Sequence, residues 1–183
     1  MADRLTKIYT RTGDDGSTGM ADGTRRAKDD LLVHVIGEVD ELNSQLAVLA
    51  CHIPAVFSAS IRIIQNEMFN VGAELAMCEA IIKQQDVDWL EQSLDEMNRS
   101  LTPLKEFILP GGGLAASHCH VARATCRRAE RALVSLNKDK TLNGYLMAYI
   151  NRLSDYLFVL ARAISKQEGI DEVYWQSEKL KNS

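Results

Sequence analysis

The chain has 183 residues, 46% hydrophobic and 25% charged, with a net charge of −4 and a pI near 5.6. That length fills one hydrophobic core and is short for two. An acidic balance excludes bulk electrostatic binding to nucleic acid or to an anionic membrane, which need a basic surface, so any anion must be met by a local cluster. No apolar run is long enough to span a bilayer. The four cysteines, at 51, 78, 119 and 126, form no C-x-x-C pair. The start "MADRLTKIYT" carries neither an apolar signal region nor an Arg-rich transit pattern, so a cytoplasmic chain with free thiols is expected.

The opening stretch "IYTRTGDDGSTG" (8 to 19) combines Gly13, Gly16 and Gly19 with hydroxyls at Thr10, Thr12, Ser17 and Thr18, two aspartates, Asp14 and Asp15, and Arg11. Glycine backbones approach a ligand closely, and their N–H groups beside hydroxyls suit phosphate oxygens, so the stretch reads either as a phosphate cradle or as a flexible tail. The low apolar content of residues from 1 to about 30 predicts a segment that is mobile alone and becomes ordered when a ligand is bound.

From about residue 31 the apolar residues follow the three-and-four spacing of helices buried on one side. Val35, Val39, Leu42, Leu46 and Leu49 mark a first helix, and Ile61, Ile64, Met68, Val71 and Leu75 a second. Val87, Leu90, Leu94, Met97, Leu101 and Leu104 mark a third. Pro54 and Pro110 are breaks, and "PGGG" (110 to 113) opens an Ala-rich fourth helix to about 137. A fifth runs from about 141 to 166 on Leu142, Leu146, Tyr149, Leu153, Tyr156, Leu160 and Ile164. With three prolines and little strand-like alternation, the expected architecture is all-α, a five-helix bundle behind an irregular N-terminal segment.

Several polar residues face away from these stripes. Asp40, flanked by Asn43 and Ser44, lies opposite the Val39/Leu42/Leu46 face. On the fourth helix Arg123 and Arg127 form an i, i+4 stripe bordered by Glu130 and Arg131, roughly opposite Leu114, Val121, Ala132 and Leu136. On the fifth, Asn151, Asp155, Arg162 and Phe158 lie opposite Leu142, Leu153 and Leu160, and a Phe on a polar stripe implies a covered face. Solvated helix faces are the plain alternative. Against it, "RATCRRAER" (123 to 131) holds four arginines and one glutamate in an acidic chain, which suits a polyphosphate. His118 and His120, two apart, point to different faces and do not share a metal, and Cys119 and Cys126 read as small packing residues. Neither a P-loop nor a dinucleotide-binding glycine motif is present, and Glu-x-x-His is absent.

"KIYTRTGDDGSTG" (7 to 19), "GEVDELNS" (37 to 44), "FILPGG" (107 to 112), "ARATCRRAER" (122 to 131) and "NRLSDYLFVLAR" (151 to 162) resemble, in order and spacing, the PduO-type ATP:cob(I)alamin adenosyltransferases. The resemblance spans nearly the whole chain. It implies a single adenosyltransferase domain over 1–183, with an ATP-binding segment (1–30), a helical bundle (31–168) and a C-terminal tail (169–183). The bundle is expected to assemble as a homotrimer with active sites between subunits.

The implied reaction moves the 5′-deoxyadenosyl group of ATP to the cobalt of cob(I)alamin, releasing triphosphate. By that resemblance Thr10, Arg11, Thr12, Gly13, Asp14, Gly16, Ser17, Thr18, Gly19 and Lys28 wrap the nucleotide with Mg²⁺, the metal riding on the phosphates. Arg127 holds the polyphosphate, Glu130 and Asn151 complete the ATP site, Asp40 pairs with Arg123 across the interface, and Phe107 lies under the corrin. A reductase and an adenosylcobalamin-dependent enzyme are the implied partners. The chain departs from the family pattern at "LVHVIG" (32 to 37), where Ile36 replaces an aromatic, and at "GMADGTRR" (19 to 26). The competing class is a non-catalytic bundle that binds ATP or a corrinoid as a sensor or delivery protein, which would need no apolar wedge such as Phe107.

Overall fold

The computed structural model describes residues 8–176; Lys7, the first part of the N-terminal segment and the last part of the C-terminal tail lie outside the described residues. Five helices follow a two-stranded hairpin: β1 (Ser17–Gly19), β2 (Arg25–Ala27), α1 (Leu31–Ala50), α2 (Ala55–Met77), α3 (Gln84–Asn98), α4 (Gly113–Asp139) and α5 (Gly144–Gln167). Their starts are chemical. Asp30 caps α1 by accepting from the Leu32 N–H at 2.8 Å, and Asn143 caps α5 through Tyr145 N–H at 3.0 Å. Lys83 N–H donates to Asp86 at 2.8 Å at the head of α3. In packing order the bundle runs α2 on α1, α1 on α4, α4 on α5 and α5 on α3. Among the described residues no helix is long and apolar enough to cross a membrane.

Three expectations need correction. The third helix ends at Asn98, so Leu101 and Leu104 lie beyond it. The chain closes there with tight turn bonds, Ser100 N–H to Met97 O and Leu101 N–H to Asn98 O, before Pro103, which offers no N–H to continue a helix. The buried face of α4 is a row of small side chains, Ala115, Ala116, Cys119, Ala122, Cys126 and Ala129 running into Leu133, while Leu114 and Val121 are exposed. Arg123 and Arg127 therefore stand roughly 100° around the helix from the core and border it. Arg162, expected on an outer polar stripe of α5, is 5% exposed and ion-paired.

The N-terminal segment is more regular than expected. Ser17, Thr18 and Gly19 pair with Ala27, Arg26 and Arg25. Asp22 closes the turn by accepting from both the N–H and the hydroxyl of Thr24, at 2.9 and 2.6 Å. At the other end of the chain, residues 170–176 return to the loop before α4, where Ile108 and Tyr174 form an antiparallel bridge.

Gly112 and Gly113 enter α4 at φ +94° and +91°. A Cβ on Gly112 would sit 2.0 Å from Ser165 Oγ, which is itself bonded to Ala161 O at 3.0 Å. Gly112→Ala combines a left-handed backbone cost of about 1–2 kcal/mol with that overlap, so we expect a loss of ~2 kcal/mol or more and a melting temperature lower by on the order of 4–8 °C. Gly16→Ala, also at positive φ but with open space around it, should show the smaller, backbone-only loss.

His120, buried on α4, has its pKa pushed below the ordinary histidine value, first by burial and then by Arg123. The unfolded chain therefore binds a proton that the folded chain refuses. Stability should fall as pH drops below about 6.5. The carboxylates of Asp15, Asp22 and Asp30, all held low, lose their contribution only below about pH 4. Denaturant titrations at pH 7.5 and 5.5 should give a smaller difference in His120→Asn than in the unaltered protein; equal differences would assign the pH dependence elsewhere.

Candidate active site

The Gly-rich opening is a folded loop laid against the hairpin. Gly16 N–H donates to Gly13 O at 3.2 Å, and Lys28 N–H to Gly16 O at 2.8 Å. Gly13 is pressed against its neighbours: a Cβ there would lie 2.8 Å from Ser17 O and 3.3 Å from Lys28 Nζ. The loop thus places the Lys28 amine over Gly13. Thr10 and Thr12 share a hydroxyl hydrogen bond at 2.8 Å. Arg11 adopts φ +61°, its guanidinium 5.5 Å from the centre of the Tyr9 ring.

The two aspartates divide their work. Asp15 accepts from the N–H and hydroxyl of Ser17 at 2.9 and 2.7 Å, which lowers its pKa. Asp14 is exposed with no such engagement. Arg25 donates from Nη2 to Thr12 O and to Ser17 Oγ, and from Nε to Ser17 Oγ at 3.1 Å, so it fastens the loop to the second strand. Arg25 escaped the sequence reading because its partners are 8 and 13 residues away along the chain.

On α4 the four arginines are not equivalent. Arg128 is consumed by the fold, bonded to Glu38 at 2.6 Å and to Glu41 on α1, which raises its pKa. Arg131 donates to the carbonyl of Arg127 at 3.0 Å. Arg127 is exposed. Arg123 is half-buried, its Nε is shut off from solvent without a partner, and burial followed by the charge of Arg127 lowers its pKa. A guanidinium remains charged under such pressure. It is a cation in want of an anion.

Glu130 and Asn151 meet across the α4–α5 groove, Asn151 Nδ2 donating to Glu130 Oε1 at 2.7 Å. On the buried face of α4 the thiols of Cys119 and Cys126 donate to Leu157 O and Ile150 O, at 3.1 and 3.3 Å. Burial pushes both thiols up, so they are packing groups with no nucleophilic character.

Phe107 stands on the loop before α4, 75% exposed, with its ring centre 6.3 Å from Trp175 in an edge-on arrangement. It lines a cavity of about 550 Å³ together with Leu104, Ile108, His120, Arg123 and Phe158. The structure thus brings Phe107 and Arg123 to one cavity. Phe158, 6.3 Å from the His120 ring, forms part of its wall. His118 instead stacks on His52 at 5.1 Å, so the two histidines do face different surroundings.

Within one chain some expected residues remain apart. Among the described residues Asp40 is exposed and has no ion-pair partner, and neither hairpin strand packs extensively on a helix. Ile36 is half-buried against the core, which is packing that an aliphatic side chain serves well.

Comparison with known proteins places this arrangement. The sequence profile of the cobalamin adenosyltransferase family matches residues 8–164. A cobalamin adenosyltransferase of Cupriavidus metallidurans is 44% identical over 182 residues, covering 98% of this chain and 99% of that protein. A corrinoid adenosyltransferase of Bacillus subtilis is 37% identical, over 93% of this chain and 92% of its own. A variant of the PduO-type ATP:corrinoid adenosyltransferase from Lactobacillus reuteri, solved in complex with cobalamin and ATP, superposes with a TM-score of 0.89 at 36% identity. The match covers 93% of this chain and all (100%) of that one. By the match of its sequence and of its five-helix fold, the chain belongs to the cobalamin adenosyltransferase family.

Proposed function

We propose that the protein transfers the 5′-deoxyadenosyl group of ATP to the cobalt of cob(I)alamin, yielding adenosylcobalamin and triphosphate. The observation that carries this reading is the cavity shared by Phe107 and Arg123, at which the cationic edge of α4 runs into an aromatic wall. An anionic leaving group and a broad apolar ring system find their complements side by side there.

The residues suit the chemistry. Cobalt(I) is a strong nucleophile, and its attack on C5′ expels triphosphate, so negative charge grows on the leaving group and no proton has to move. Arg127, Lys28 and the N–H groups of the Thr10–Gly19 loop are donors for that charge. Asp14, Ser17 and Thr18 belong to the same loop, and Glu130 with Asn151 closes the nucleotide end. Mg²⁺, a hard ion that keeps phosphate and water oxygens as ligands, would neutralise part of the triphosphate; the exposed Asp14 carboxylate and the Thr10 and Thr12 hydroxyls are oxygen donors of the kind it takes. Because no proton moves, the buried His120, Cys119 and Cys126 have no acid–base step to serve. Phe107 would exclude the lower axial ligand and water from cobalt(II), removing the stabilisation of the oxidised state and so easing its reduction.

The unpaired Arg123 and the unpaired, exposed Asp40 support assembly with further copies of the chain, a homotrimer by the family resemblance. An ion pair between subunits would neutralise a guanidinium whose buried Nε has no partner among the described residues. A cytoplasmic setting, a reductase that delivers the electron to cobalt(II), and an adenosylcobalamin-dependent enzyme that takes the product complete the proposal.

Two variants assayed side by side separate the roles. Arg127→Ala should lose roughly a hundredfold or more in turnover from either cobalt state, by analogy with removal of one transition-state donor. Phe107→Ala should keep ATP affinity and lose turnover mainly when the reaction starts from cobalt(II), the defect shrinking when pre-formed cobalt(I) is supplied. Wild-type turnover in Arg127→Ala would reduce the arginine row to a solvated face, and an equal loss from both cobalt states in Phe107→Ala would defeat the wedge.

A further inference from the structure

Residues 170–176 lie as a strap along the loop that carries Phe107. Leu109 N–H donates to Val173 O at 2.8 Å and Trp175 N–H to Phe107 O at 2.7 Å, on either side of the Ile108–Tyr174 bridge. Apolar burial holds little of this strap, since Val173, Tyr174 and Trp175 remain 62%, 41% and 48% exposed. Cavities of about 450 and 210 Å³ flank it, and both are lined by Arg162 and Glu172. Those two residues form the strap's anchor.

Arg162 projects from α5 and is 5% exposed. Its Nε donates to Glu172 Oε1 at 2.5 Å, and its Nη2 to Glu172 Oε2 at 3.3 Å and to the carbonyl of Thr102 at 2.6 Å. One guanidinium therefore ties α5 to the strap and to the segment that leads from α3 into Phe107. The planar fork is what allows it: a lysine ammonium is a point charge and cannot match both carboxylate oxygens while reaching the carbonyl. A buried cation that loses its carboxylate is costly, which keeps the latch shut.

We propose that Arg162 is a positioning residue for the corrinoid end of the site, holding loop and strap together so that Phe107 and Trp175 form one wall against the corrin. This rests on the adenosyltransferase reading above. Among the described residues the Arg162 guanidinium bonds to Glu172 and Thr102 and not to the nucleotide-binding loop or Arg127, so loss of the latch should act on one substrate.

The test uses Glu172→Gln, Arg162→Lys and Trp175→Ala in the full chain, with separate KM values for cobalamin and ATP, the four-coordinate cobalt(II) spectrum and the melting temperature. Glu172→Gln should raise the cobalamin KM about tenfold and diminish the four-coordinate signal, with the ATP KM within about twofold. Arg162→Lys, which keeps the charge and loses the fork, should behave like Glu172→Gln. Trp175→Ala, which leaves the buried pair intact, should reproduce the cobalamin effect at an unchanged melting temperature, and so carries the test if Arg162→Lys does not fold. KM values that rise together, or a wild-type cobalamin KM in Glu172→Gln, would overturn the proposal. A structural readout keeps it distinct from the reaction itself: in a Trp89→Phe background, Glu172→Gln should make Trp175 fluorescence more accessible to acrylamide whether or not cobalamin is turned over. Unchanged quenching would mean that the latch does not hold the strap.

Discussion

The close contact between α4 and α5 governs the rest of the molecule. Alanine and cysteine side chains at 115, 116, 119, 122, 126 and 129 take so little space that the helices approach closely, and the two thiols reach carbonyl oxygens of α5 itself. A helix that gives its buried face to small residues has its long polar side chains at the margin of the contact. Arg123 and Arg127 occupy that margin, Glu130 crosses to Asn151, and His120 and Phe158 face each other at its other end. The polar edge and the aromatic cavity are two stretches of one groove.

Charge is distributed along this groove by pairing. Arg128 is spent on Glu38 and Glu41, Arg152 on Glu91 and Asp155, and Arg162 on Glu172. On α4, Arg123, Arg127 and Arg131 have no carboxylate partner among the described residues, and the pKa of Arg123 falls partly because Arg127 repels it. An acidic chain thus keeps a small cationic edge on α4, a local place for an anion. Phosphate on one side and a carboxylate from a second copy on the other are the two kinds of group that relieve it.

The helices were legible because each carries a one-sided apolar rhythm long enough to outweigh local propensity. The errors are instructive. Leu101 and Leu104 continue the spacing of α3 past its end, and only Pro103 signals the break. On α4 the large side chains Leu114 and Val121 drew the expected core toward the wrong face, because hydrophobicity gives little weight to the alanines and cysteines that do the packing. The motif blocks singled out Phe107, Arg123, Arg127, Glu130 and Asn151, and the structure brings Phe107 to one cavity with Arg123 and Glu130 to Asn151. Arg25, Arg162, Glu172 and Trp175 were not legible. Their meaning lies in partners far away in sequence, up to 60 residues for the Arg162 bond to Thr102, and no periodicity encodes such a contact. The hairpin was missed for a related reason, since strands of three residues leave no alternation to read.

Group transfer is what separates this protein from a bundle that only binds ATP or a corrinoid. The most direct measurement is anaerobic incubation of the unaltered protein with ATP, Mg²⁺ and chemically reduced cobalamin, following the absorbance change of cobalt–carbon bond formation while triphosphate is quantified. Adenosylcobalamin and triphosphate appearing in equal amounts is the predicted result. ATP and cobalamin bound by the protein without a cobalt–carbon bond, or ATP cleaved without one, would contradict it.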